Sequence, residues 1–195
     1  MKLFSFLLPA LLLGSGVAAV RPTAAPAPTA TEEVRDVPNF TKVNLATSVA
    51  VEVRQGSPQQ VVVEGAPDDL AQLRTTVSGG ELTIDTKSGA DWREFLRSHR
   101  NLGNMTVRIT MPTINALGVS SSGSIKAPSV RAEDLSLGVS SSGSVTVEQV
   151  QATNVRAAVS SSGHIAVGQL QASALHSAVS GTSSSPGRRA NGSAY

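Results

Sequence analysis

Gly118-Val119-Ser120-Ser121-Ser122-Gly123-Ser124-Ile125 returns as Gly138-Val139-Ser140-Ser141-Ser142-Gly143-Ser144-Val145, then as Ala158-Val159-Ser160-Ser161-Ser162-Gly163-His164-Ile165. A fourth start stands at Ala178-Val179-Ser180. Each copy begins 20 residues after the last, with nothing inserted or lost. Self-similarity at a fixed period marks architectures in which each repeat stacks on its neighbour and buries a face against it.

Aligning the copies shows what the repeat buries. Val119, Val139, Val159 and Val179 make one column, and Ile125, Val145 and Ile165 another. Val130, Val150 and Leu170 form a third, followed two residues later by Ala132, Ala152 and Ala172. Within one copy Leu135, Leu137 and Val139 alternate, which is the period of a strand with one inward face. A helical repeat fails on that period. The reading is a parallel β-helix, or β-solenoid, of 20-residue turns. Each turn is expected to hold two short strands, broken at the Ser-Ser-Ser-Gly corner and near Pro128 or Gly168. Ser120, Ser140 and Ser160 are expected to hydrogen-bond along their column, hydroxyls being both donors and acceptors. Gly123, Gly143 and Gly163 are expected where the corner needs positive φ or where a side chain would clash.

Outward from the repeats, residues 37–111 read as a β-rich N-terminal part with short helices, and residues 112–182 as the repeat coils. Val49, Val51 and Val53 share a face, as do Met105, Val107 and Ile109. Gln55-Gly56-Ser57-Pro58 is a turn. Pro67 through Leu73 predicts one or two helical turns, with Asp68 and Asp69 at the positive end. Gly79-Gly80 joins two strands of a hairpin. Residues 88–103 are the most charged stretch: Trp92, Phe95 and Leu96 share a helical spacing, with Arg93, Arg97 and Arg100 around them. One reading is a contact patch of Trp92, Arg93, Arg97 and Arg100 for a glycan or an acidic partner. The other, which apolar helical spacing favours, is an amphipathic helix laying the Trp onto the end of the sheet.

Residues 1–19 read as a signal peptide: Met1-Lys2, an apolar run from Leu3 to Leu13, and Val17-Ala18-Ala19 at the cleavage site. That run falls short of the roughly 20 apolar residues that span a bilayer, so no transmembrane segment is expected after cleavage. Residues 20–36 are Pro/Ala/Thr-rich and predict a disordered linker. Residues 183–195 form an irregular tail in which Ser183 and Ser185 replace the expected Gly and Ile/Val. The loss of every apolar column at one point predicts an uncapped last coil, whose strand edge invites self-association. The chain has no cysteine, which removes disulfides and thiolate metal sites. Its formal charge of +2 gives no electrostatic case for nucleic acid.

Catalytic constellations are not apparent. His99, His164 and His176 have no His-x-x-x-His spacing, so no metal is expected. The corners lack the aspartates of calcium-binding β-rolls. No Gly-x-Ser-x-Gly elbow precedes a helix, and no set of acids converges as glycoside hydrolysis requires. The expectation is a protein without cofactor that is not an enzyme.

The serial Val-Ser-Ser-Ser-Gly corners, with Phe40-x-x-Val43-x-Leu45, Val51-x-Val53-x-Gln55-Gly56 and Leu82-x-Ile84, resemble the GIN-domain family of adhesin heads over residues 37–182. The resemblance implies an exported, envelope-associated bacterial protein of parallel β-helical character, placed in the periplasm, at the cell surface or outside the cell. It brings no catalytic residue with it. The family corner commonly reads Ser-Gly-Ser-Gly-Asp, and this chain lacks that Asp. The function expected is noncatalytic adhesion or scaffolding through the solenoid surface, with a cell-surface glycan or protein as candidate partner. The alternative is a glycan-binding or glycan-processing β-helix protein.

Overall fold

The computed structural model describes residues 30–87 and 104–180. Strand makes up 69% of them and helix a single turn, so the class is all-β. The signal peptide, the Trp92 segment, His99 and the tail lie outside the described residues.

The strands run β1 (Thr31–Arg35), β2 (Lys42–Leu45), β3 (Ala50–Gln55) and β4 (Gln60–Gly65), followed by helix α1 (Pro67–Leu70). Then come β5 (Leu73–Ser78), β6 (Glu81–Thr86), β7 (Thr106–Met111), β8 (Ala116–Val119) and three long rungs. These are β9 (Ser124–Val139), β10 (Ser144–Ser160) and β11 (His164–Ser180). All eleven strands belong to one sheet. Its path runs β1-β4-β7-β3-β9-β8-β2-β6-β5, with β10 on β9 and β11 on β10.

The rungs pair in parallel at the spacing of the repeat. Ile125, Val145 and Ile165 are register partners, as are Val130, Val150 and Leu170. Val119, Val139, Val159 and Val179 follow one another in the same way. Similar aliphatic side chains therefore sit over one another at the roughly 4.8 Å spacing of paired strands.

The expectation of two short strands in each 20-residue repeat is corrected to three paired stretches. The β9–β10 ladder skips Pro128/Glu148 and Glu133/Thr153, leaving 124–127, 129–132 and 134–139 as separate runs. The cause lies in the alternation. Ile125 and Ala127 are buried, then Pro128 and Ser129 are both exposed before Val130 turns in; Glu133 and Asp134 are both exposed before Leu135. Two successive outward residues shift the phase by one, so the chain must bend to keep its apolar face inward.

The N-terminal strands follow the same columns. Val43 lies between Leu82 and Leu117, and Leu45 between Ile84 and Val119. Ala50 lies between Thr106 and Ser124. Past Lys126 β9 parts from β3, and the Gln55 side chain bridges the gap. Its amide accepts from Arg131 N at 2.8 Å and donates to Arg131 O at 2.9 Å. The predicted hairpin is β5–β6, antiparallel, turning through Gly79 and Gly80 at φ of 58° and 75°, the left-handed pair that a two-residue turn requires. The helix occupies only Pro67–Leu70, with Asp68 and Asp69 in its first turn; Leu73 opens β5 instead.

One boundary moves. Residues 31–35, assigned to the linker from composition, form β1, antiparallel to β4. Arg35 donates to Leu70 O at 2.7 Å. Arg108 of β7 pairs with Glu32 and Glu64. Polar ties of this kind leave no apolar periodicity for sequence reading to find.

Candidate functional site

The corners line up along one edge of the stack. Residues 46–49 join β2 to β3, 120–123 join β8 to β9, 140–143 join β9 to β10, and 161–163 join β10 to β11. β6, which pairs with β2, is linked by residues 87–105 to β7, which pairs with β3. Trp92, Arg93, Arg97 and Arg100 belong to this link and lie outside the described residues. The last described residue before them is Lys87 and the first after them is Asn104.

Close approach explains the corner glycines. A Cβ on Gly143 would stand 2.6 Å from the carbonyl oxygens of Gly123 and Ser121, and would also collide with Val119. Gly163 meets Ser141 O at 2.6 Å, and Gly123 is closed in by Thr47, Leu45 and Val49. None of the three has positive φ, so of the two explanations the clash is the operative one.

The serines act differently from expectation. Backbone amides tie the corners together: Ser120 N donates to Leu45 O at 2.9 Å, Ser140 N to Val119 O at 2.9 Å, and Ser144 N to Gly123 O at 3.0 Å. The Ser120 hydroxyl reaches back to Leu45 O at 3.4 Å and to Asn44 Oδ1 at 3.5 Å, the outer limit of a hydrogen bond, rather than along a serine column. With the backbone already satisfied, the Ser120 and Ser140 side chains face solvent.

Beside the corners runs a shallow groove of about 310 Å³. Gly118, Gly138, Ala158 and Ala178 line it as one column, and Ser120, Ser140, Ser160 and Ser180 as another. The small column makes the groove: a Cβ on Gly138 would meet nothing within 4 Å. Its lining is uncharged and repeats from rung to rung. A second cleft of about 220 Å³ is lined by Glu52, Arg54, Lys126 and Glu148, which balance in charge.

Other polar features are structural in place. Arg74 forms a two-pronged pair with Asp85 across the hairpin at 2.7 and 2.6 Å. The hydrogen bond to Asp85, then its charge, holds the Arg74 guanidinium above its ordinary pKa. Arg108 is raised likewise, first by its hydrogen bond to Glu32 and then by the charge of Glu64. Asp134 accepts from Asn154 at 2.9 Å. His164 and His176 are exposed. Among the described residues no group of three or more His, Asp and Glu could hold a metal ion.

At the far end β11 has β10 as its only strand neighbour among the described residues. Val150 and Val155, covered by β11, are 2% and 1% exposed; Leu170 and Leu175, one rung on, are 37% and 48% exposed.

Three solved structures are similar in fold. A "Putative lipid binding protein" of Parabacteroides distasonis is 17% identical with a TM-score of 0.56, matching 71% of this chain and 65% of that one. This chain thus spans under two thirds of that protein. A "putative adhesin" of Parabacteroides merdae is 9% identical with a TM-score of 0.54, over 77% of each chain. Another, of Bacteroides fragilis, is 14% identical with a TM-score of 0.50, over 80% of this chain and 95% of that one. No curated protein matches the sequence. The family model described as "Putative auto-transporter adhesin, head GIN domain" matches residues 39–191, from the strand before the first corner through all the serine corners. The chain belongs to the head GIN domain family.

Proposed function

We propose that this chain is an exported, noncatalytic envelope protein whose 20-residue coils form a parallel β-solenoid, and that its outer surface serves adhesion or scaffolding. The observation that carries this reading is the groove beside the corners. Its lining of Ser, Gly, Ala and Val repeats at the rung spacing and, with Asn44, carries no charge. Such a surface suits an extended partner held by shape and by hydrogen bonds to hydroxyls at regular intervals. Export rests on the signal-like residues 1–19 and accords with membership in an adhesin family. No helix among the described residues is long and apolar enough to cross a membrane.

A glycan-contacting protein is the second reading. The sequence of residues 88–103, with Trp92 among Arg93, Arg97 and Arg100, supports it. Aromatic rings and arginines are groups that hold sugars by stacking and hydrogen bonding.

Fractionation of the host cell, with arrays of glycans and surface proteins probed in parallel, tests both. Gly138→Trp fills the groove from a position where an added Cβ meets nothing within 4 Å, and circular dichroism checks that the strands are kept. Loss of partner binding in Gly138→Trp is expected for the groove reading, and loss in Trp92→Ala for the glycan reading. Recovery of the chain in the cytoplasm, or binding indifferent to both substitutions, refutes the proposal.

A further inference from the structure

We propose that the cleft between β3 and β9 binds a small zwitterion of dipeptide reach, whose carboxylate meets Arg54 and whose ammonium meets Glu148. This cleft shares no lining residue with the groove beside the corners, so the inference stands apart from the adhesion reading. Three observations carry it.

The first is how the cleft is built. The β3–β9 ladder ends at Glu52 and Lys126, and the Gln55 side chain ties the strands again at Arg131 N and O. Between these ties β3 has two residues, Val53 and Arg54, whereas β9 has four, 127–130. The longer strand bows outward, and Pro128, which has no N–H, cannot rejoin the ladder there. Gln55 also donates to Pro112 O at 3.1 Å, which anchors the far end of the opening. Bulges of this kind re-aim side chains and are concentrated beside functional sites.

The second is charge. Arg108, Glu52 and Lys126 are register partners across β7, β3 and β9, so that row alternates in sign and balances itself. Two residues on along each strand the row reads Arg54, Pro128 and Glu148, with the uncharged proline between cation and anion. Among the described residues neither Arg54 nor Glu148 has an ion-pair partner. The next rung leaves Glu148 bare, because Gly168 stands 20 residues on and a Cβ there would lie 2.6 Å from Glu148 O. One guanidinium and one carboxylate thus face the same cleft without satisfying each other.

The third is reach. β9 lies between β3 and β10, so two strand spacings put the Arg54 and Glu148 backbones about 10 Å apart. A charge-assisted hydrogen bond of about 2.8 Å at each end leaves roughly 5 Å between the charged groups of a ligand. A dipeptide, about 7 Å long when extended, covers that interval, and the cleft of about 220 Å³ has room for it. The Arg54 fork suits a carboxylate, and the half-buried Thr146 hydroxyl on the cleft wall can hydrogen-bond the amide between the two ends.

Amide chemical shifts of the full chain, titrated with glycylglycine at low salt, test the proposal. A dissociation constant on the order of 10 mM is expected for two exposed ion pairs, with the shifts gathered at residues 52–55, 126–128 and 146–148. Acetylating the probe's ammonium, or amidating its carboxylate, should each weaken binding about threefold to fivefold. In Glu148→Gln the acetylated and free probes should bind alike, and in Arg54→Gln the amidated and free probes should. Glu133→Gln, exposed elsewhere on β9, should leave all three affinities unchanged. Circular dichroism checks that the variants keep their strands; should one unfold, the blocked probes on the unaltered chain decide. No shift up to about 100 mM, equal affinity for the three probes, or shifts centred on another face overturns the proposal. A preference for the free probe that survives Glu148→Gln or Arg54→Gln unchanged overturns it equally.

Discussion

Replacing Gly143 with alanine pushes a methyl group into the space between two rungs. The added carbon would stand 2.6 Å from two backbone oxygens, those of Gly123 and Ser121, which belong to the rung beneath and cannot rotate away as a side chain would. To reach a tolerable separation the rungs must part locally by roughly 0.5 Å. The adjacent Ser144 N to Gly123 O hydrogen bond, now 3.0 Å, would stretch to the limit of a useful bond. Overpacking of this kind costs about 1–3 kcal/mol, and the weakened bond adds about 1 kcal/mol. The sum is roughly 2–4 kcal/mol, which for a domain of this size lowers the melting temperature by roughly 5–15 °C. Gly138→Ala is the matched control, because it makes the same chemical change where nothing lies within 4 Å. Removing glycine from a strand there should stabilise by about 0.5–1 kcal/mol. Urea unfolding followed by circular dichroism measures both variants. Opposite signs are expected, and equal shifts would refute the claim that close rung contact demands the corner glycines.

Burial along one column predicts a gradient. Ile125→Ala, fully buried, should cost about 3 kcal/mol, and Ile165→Ala, at the open end, less than about 1.5 kcal/mol; denaturant titration compares them, and equal costs would contradict the open end. Arg108→Gln removes the cation shared by Glu32 and Glu64. Amides of β1 should then exchange faster while those of β10 keep their protection, because β1 is held to β4 at the edge of the sheet; hydrogen-exchange mass spectrometry reads both, and unchanged β1 protection would show that the ion pairs do not hold it.

The apolar columns were legible because they repeat at one spacing and each holds similar side chains. Val119, Val139 and Val159 announce their stacking without help from any other signal, and the register pairs confirm it. Three things were hidden, each for a physical reason. The third bend, at Glu133–Asp134, shows only as a one-residue phase slip, which reads on paper as an ordinary polar pair between strands. Strand β1 carries TEEVR, whose ties to Arg108 and Leu70 O are made by residues distant in sequence. The stacking of β6 on β2 and of β7 on β3 joins strands that share no sequence pattern with the repeats. At the candidate site the small outward column was visible as Gly118, Gly138, Ala158 and Ala178. Its meaning as a groove needed the neighbouring serines placed beside it, with their backbone amides already bonded.

Stacking in register can be observed directly, since the chain has no native cysteine to interfere. Nitroxide labels at Gln151→Cys and Gln171→Cys, exposed register partners on β10 and β11, should show strong spin–spin broadening. Labels at Arg156→Cys and Gln171→Cys, five positions out of register, should show much less. Equal broadening in the two pairs, or none at 151 and 171, would mean that residues twenty apart are not neighbours.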